Sequence, residues 1–348
     1  MPKPTHLTCL CGDVSERASI LEGPEEELPM ENLLCHCDTC RHSTGALCTS
    51  YFRLKGPPSA KSLGCATGYH TPGYVRYFCK NCGCHTFAFT KADGQWLACS
   101  GTLETDRKID DVLDISRITH HEHVGDAADG GIAPFLSKIG GRKIPYHEGE
   151  PAADTTTMDE DRLQLLRGRP SSSRERGDHV DASCHCGSVR FRIEPPPYDN
   201  ESQGWYVPSD RSKYYARLCC CRSCRLGLGF TMQPWAYIPP SQIRTAEDAG
   251  QQPILFGPQH EQNTRQFGEG MRYYQSSEMV LRGFCTKCGA TMLYQPFERP
   301  YIINVSVGIL RSKKGNTMAR EWLDWDRKVV SKRPEAVDED VIRSWLAE

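Results

Sequence analysis

Two short cysteine pairs, far apart in sequence and then repeated, limit what this chain can fold into more than anything else in it. Cys9 and Cys11 lie in LTCLCGDVS, and Cys79 and Cys82 in YVRYFCKNCGCHTF; Cys184, Cys186, Cys285 and Cys288 recur in ASCHCGSVRF and MVLRGFCTKCGATML. A tetrahedral zinc takes four sulfurs at about 2.3 Å. Two pairs separated by many residues therefore read as one ion stapling distant strands. A glycine follows each pair, as a knuckle requires when backbone amides turn toward sulfur in a conformation that a Cβ hinders. The spacing predicts two structural four-cysteine sites whose binding energy is folding energy.

The 19 cysteines of this 348-residue chain come mostly in tight CxC and CxxC pairs, which in a large chain favours metal over disulfides and a reducing, cytoplasmic setting. The start, MPKPTHLTCLCG, lacks the apolar core of a secretory signal. No apolar run approaches the roughly 20 residues needed to span a bilayer. A formal charge of -2 gives no electrostatic reason to expect a nucleic-acid partner.

Four landmarks recur in one order: a CxCG, a CxCxxCR, a CxxCG, and an apolar strand, WLACSGTLE in the first copy and YIINVSVGIL in the second. Such a repeat is a tandem duplication of a unit of about 150 residues, a usual domain size. The expected organisation is a first unit over 1–147, a polar linker over 148–180, and a second unit over 181–348. A polar excursion at about 241–270 is expected as a surface loop in the second unit. In the linker, Met158, Leu163, Leu165 and Leu166 could form a short docking turn, ended by Gly168 and Pro170. The fold class is mainly β with few short helices: Val189, Phe191 and Ile193 alternate with arginines at strand period. Val337, Val341, Ile342, Trp345 and Leu346 line one face of a terminal helix, read as packing.

The remaining pattern is CHCDTCR at 35–41 and CCCRSCR at 219–225. Cys35, Cys37 and Cys40, and likewise Cys219, Cys221 and Cys224, are one thiolate short of a closed zinc shell. Catalytic zinc commonly keeps three protein ligands and one exchangeable position. A soft thiol is a natural fourth ligand there. Two other readings stand: Cys48, Cys65, Cys84 or Cys99 in the first unit, or Cys220 in the second, closes the site, or the triplet holds no metal.

The order CxCG, CxCxxCR, CxxCG and a strand ending in a GTL-like turn resembles the glutathione-dependent formaldehyde-activating enzymes and their relative, centromere protein V. The resemblance covers both units and seven cysteines in each. It implies a small β tent of mixed sheets, one per unit, held by the four-cysteine zinc. It implies a second zinc on each triplet, where glutathione as co-substrate and formaldehyde join as S-(hydroxymethyl)glutathione, the work of a carbon-sulfur lyase. Arg41 and Arg225, directly after the triplets, are candidates for holding an anionic end of such a substrate. His85 is a candidate proton shuttle; Thr291 takes its place in the second unit, and the LGLG before Phe230 replaces the HSTG of the first, so one copy is expected to catalyse while the other scaffolds. A small-molecule thiol or thiol adduct, or a related electrophilic metabolite, is the expected partner, and a homodimer stays open. The rival from another class is a non-catalytic zinc-stabilised module that binds protein or chromatin.

Overall fold

The computed structural model describes residues 3–22, 28–108, 111–151, 157–168, 176–245, 267–312 and 315–346. It is mainly β with few helices, built as two related sets of sheets. In the first half, Pro4–Thr8 pairs with Ser15–Arg17 on one side and Leu103–Thr105 on the other, all antiparallel. A five-stranded antiparallel sheet runs in the order Tyr51–Arg53, Trp96–Cys99, His85–Thr90, Tyr74–Cys79, Ala66–His70. Met30–Cys35 lies parallel to Ser116–Glu122.

The second half repeats this plan. Val180–Ser183 pairs with Arg190–Ile193 and with Leu310–Arg311. Tyr214–Cys219 lies parallel to Leu323–Trp325 and also pairs with Gln233–Ile238. That last pairing joins what stay two sheets in the first half into a seven-stranded one. In the first half the same join is a single bridge between Cys35 and Thr49.

The cysteine-pair glycines behave as their position requires. Gly12, Gly83, Gly187 and Gly289 have φ of 83°, 76°, 73° and 78°, left-handed values that a Cβ penalises. The two apolar runs expected as strands each break at a tight turn, Ser100–Thr102 and Val307–Ile309. These turns are where the halves meet. Gly101 donates to Gly229 at 2.9 Å, and Gly308 donates to Gly45 at 3.0 Å, a reciprocal contact. A Cβ on Gly101 would come within 2.4 Å of the Phe230 nitrogen, and one on Gly308 within 2.1 Å of the Ala46 oxygen.

The terminal helix spans Glu339–Leu346 and buries Val341, Ile342 and Trp345. It continues a strap that carries the end of the chain onto the first half, where Ile115 donates to Val337 at 2.8 Å and Glu339 to Leu113 at 3.0 Å. A helix at Glu160–Gly168 buries Leu163 and leaves Leu165 exposed. Residues 243–245, expected in the polar excursion, instead form a strand against Arg190–Ile193, because Ile243 has a buried place to occupy there. The centre of that excursion, 246–266, lies outside the described residues. Among the described residues, no helix is long and apolar enough to cross a membrane.

Candidate metal centre

The two four-cysteine sets converge as the spacing implies. The sulfurs of Cys9, Cys11, Cys79 and Cys82 lie within 4.8 Å of one another, as do those of Cys184, Cys186, Cys285 and Cys288. Cys9 to Cys11 is 3.4 Å, and Cys11 to Cys79, Cys184 to Cys186 and Cys186 to Cys285 are each 3.5 Å. Four sulfurs at zinc-sulfur length on a tetrahedron stand about 3.8 Å apart, so these cages need little adjustment to hold the ion. Val14 and Val189 direct their N–H groups at the sulfurs of Cys9 and Cys184, each at 3.4 Å. Hydrogen bonding among crowded sulfurs holds the Cys9 thiol far below its ordinary range and pushes Cys11 and Cys82 far above it. A divalent cation removes that conflict, and the donor chemistry fits zinc.

The triplets are built by a strand end and a helix start. Cys35 closes the strand Met30–Cys35, Cys37 caps the helix Asp38–Thr44, and Cys40 sits in its first turn. The Cys40 N–H donates to the Cys37 sulfur at 3.3 Å. Cys219, Cys221 and Cys224 repeat this, with Cys224 donating to Cys221 at 3.3 Å. Each trio of sulfurs lies within 4.8 Å, and no fourth cysteine joins either set among the described residues. Cys220 directs its thiol at the carbonyls of Ser331 and Lys332. Cys84 donates to His85, and Cys48 is a buried thiol pushed up to about 12 by that burial.

The first triplet opens into a cavity of about 260 Å³, whose walls include Tyr51, Tyr74, Arg76, Glu122, His123 and Glu150. Arg76 is buried there. Its Nη2 lies 3.3 Å from the Cys40 sulfur, its Nη1 donates to Thr71 at 2.8 Å, and its guanidinium sits 4.9 Å over the Tyr74 ring. Burial works to lower its pKa, but the charges of Cys40, Tyr51 and Cys37 and the contact with the Cys40 sulfur together hold it above its ordinary value. Arg282 holds the matching place in the second half, with both terminal nitrogens 3.8 Å from Cys224 and its charge 4.7 Å over Tyr294.

The surroundings of the second triplet are aromatic. Strand register places Trp235 and Tyr237 where the first half has Tyr51 and Arg53. Both pack with Cys219 and Cys224, beside Tyr206, Tyr215 and Tyr294. Trp205 stands edge-on against Tyr206, Tyr215 and Tyr237, and Arg299 lies 5.4 Å over its ring.

The three candidate catalytic side chains of the sequence reading lie away from the cavity. Arg41 is buried, donating from Nε to the His36 carbonyl at 2.9 Å and pairing with Asp38. Arg225 crosses to the other half, where it donates to Gly101 at 2.6 Å, Leu103 at 2.8 Å and Glu104 at 3.0 Å. His85 is buried where Gly229 of the second half presses on its carbonyl, and that burial lowers its pKa to about 4. Sequence reasoning missed Arg76 and Arg282. The signal was present: in YVRYFC and VLRGFC an arginine stands three residues before the cysteine, inside an apolar strand of each copy.

Residues 4–116 match the family model of the glutathione-dependent formaldehyde-activating enzyme. A solved Rhodobacter sphaeroides protein is 22% identical, covering 42% of this chain and 99% of that one, with a TM-score of 0.26. No curated protein matches the chain.

Proposed function

With residues 4–116 carrying the glutathione-dependent formaldehyde-activating pattern, we propose that the chain is a carbon-sulfur lyase that makes and breaks thiol adducts of aldehydes at Cys35, Cys37 and Cys40. The observation that carries this reading is a three-sulfur set, short of a closed shell, that opens into a cavity. Zinc bound there would favour the thiolate form of an incoming thiol at neutral pH.

The reaction balances simply. The thiol sulfur bonds to the aldehyde carbon, the carbonyl π pair moves to oxygen, and the thiol proton ends on that oxygen; the reverse breaks the same bond. Arg76, in the cavity wall, offsets the negative charge of the triplet through its contact with the Cys40 sulfur. The Tyr74 hydroxyl, which burial pushes up to about 12, stays protonated at physiological pH and can donate to the adduct oxygen. Glutathione is the thiol the family match favours, and formaldehyde the smallest aldehyde. The larger unit is read as two tandem domains, 1–147 and 181–348, joined by 148–180, with catalysis assigned to the first. The aromatic walls around Cys219 suit a support role or a bulkier, planar ligand.

The test is exchange NMR on a mixture of glutathione and formaldehyde. The wild-type chain should accelerate interconversion with the hydroxymethyl adduct; Cys37→Ser should abolish that acceleration and Cys221→Ser should leave most of it. Equal rates with and without the wild-type protein would remove the enzyme reading and favour a binding module.

A further inference from the structure

Cys35 belongs to two sets of ligand atoms. One is the triplet; the other joins its sulfur to a carboxylate oxygen of Glu122 and a ring nitrogen of His123, all within 4.8 Å of one another. Glu122 is the register partner of Cys35 across parallel strands, so the two side chains leave the sheet on the same side. His123 would ordinarily point to the opposite face, because successive strand residues alternate. Its φ of 55° breaks that alternation and turns the ring toward the same cavity, which both residues line.

The second half has the same backbone without the chemistry. Ser331 pairs with Cys219, and Lys332 has φ of 60°. Both left-handed residues precede a tight turn, Val124–Asp126 and Arg333–Glu335. The bend therefore belongs to the fold, and the carboxylate and imidazole belong to the first half alone. Both lie beyond the stretch that matches the family.

We propose that Cys35, Glu122 and His123 form a further metal position at the cavity wall, taking a borderline divalent cation such as zinc or cobalt through sulfur, oxygen and nitrogen. The Cys35 sulfur bridges it to the triplet. A thiolate can serve two such ions, and mixed donors of this kind suit zinc and its neighbours in the first transition row. A tetrahedral ion wants its ligand atoms about 3.4 to 3.8 Å apart, so small side-chain movements close the set. The second half, with Ser331 and Lys332, takes no counterpart. The inference rests on the triplet holding its own ion, as the proposed function requires.

The test is cobalt titration of the metal-free full chain, read by sulfur-to-cobalt charge-transfer absorption and by metal counted after gel filtration. The wild type should bind one equivalent more than Glu122→Gln or His123→Asn, and that equivalent should be the more readily removed by a weak chelator. The double variant Ser331→Glu with Lys332→His should gain one equivalent over wild type. Equal stoichiometry in wild type and both single variants, with circular dichroism unchanged, overturns the proposal. That result leaves the lyase reading intact if adduct exchange persists, whereas loss of exchange in wild type with the extra equivalent present would separate the two the other way.

Discussion

The side chain that most deserves substitution is Arg76. Its buried guanidinium stands 3.3 Å from the Cys40 sulfur, so its removal leaves a thiolate without its compensating charge. Partners that orient metal ligands typically govern affinity or activity by about 10- to 100-fold. Arg76→Ala should lose activity in that range and release metal from the first triplet sooner; Arg76→Lys should recover part of it. Arg41→Ala should change folding stability more than turnover, a split read by comparing thermal midpoints with kcat. Asp338 offers a separate residue-level check. Burial raises its carboxyl to about 8 while its Oδ1 accepts from the Ser116 N–H at 2.8 Å. The folded state then holds a proton that the unfolded chain releases near pH 4, so stability falls as pH rises from about 4 to 8. Asp338→Asn should flatten that slope and raise the thermal midpoint at pH 8, while leaving it nearly unchanged at pH 4. A variant with the wild-type slope would show that another group carries it.

At the level of elements, the cysteine spacing was fully legible, because each short pair or triplet is a local instruction: a knuckle, or a strand end running into a capped helix. The junction between halves was not. Gly45 and Gly229 end the triplet helices with φ of 90° and 91°, and this much the sequence allows one to expect of a glycine after a helix. What it hides is that a Cβ on Gly229 would meet the His85 oxygen at 2.0 Å and one on Gly45 the Thr291 oxygen at 2.5 Å, since those neighbours come from the opposite half. Gly229→Ala should therefore cost far more than the roughly 1–2 kcal/mol of a left-handed alanine alone. Gly94→Ala, with φ of 72° and open space around it, is the control that should cost only that amount. Chemical denaturation of both variants decides, and equal losses would mean the junction yields easily. The surroundings of Arg225 and His85 were hidden for the same reason. Their sequence neighbours suggest a site, but their contacts lie across this junction.

For the whole molecule, the recurring cysteine landmarks of the sequence lie in two sets of sheets in reciprocal contact, with the terminal strap returning to the first. Pairing between Val337 and Ile115 leaves no local pattern to read, which is why the helix at Glu339–Leu346 was foreseen but its dock was not. The differences between copies also emerge only in three dimensions: the first triplet faces a cavity whose walls carry Arg76, Glu122, His123 and Glu150, and the second an aromatic wall, because residues remote in sequence supply both linings. The account rests on the first triplet having room for an outside thiol. Cadmium-113 NMR of the cadmium-loaded chain tests this most directly, since four-sulfur and three-sulfur sites resonate apart. On adding glutathione, a three-sulfur resonance that Cys37→Ser abolishes should move to the four-sulfur region while the cage resonances stay fixed. If the resonance that Cys37→Ser abolishes already lies in that region before any thiol is added, or if glutathione at saturation does not move it, the account is contradicted.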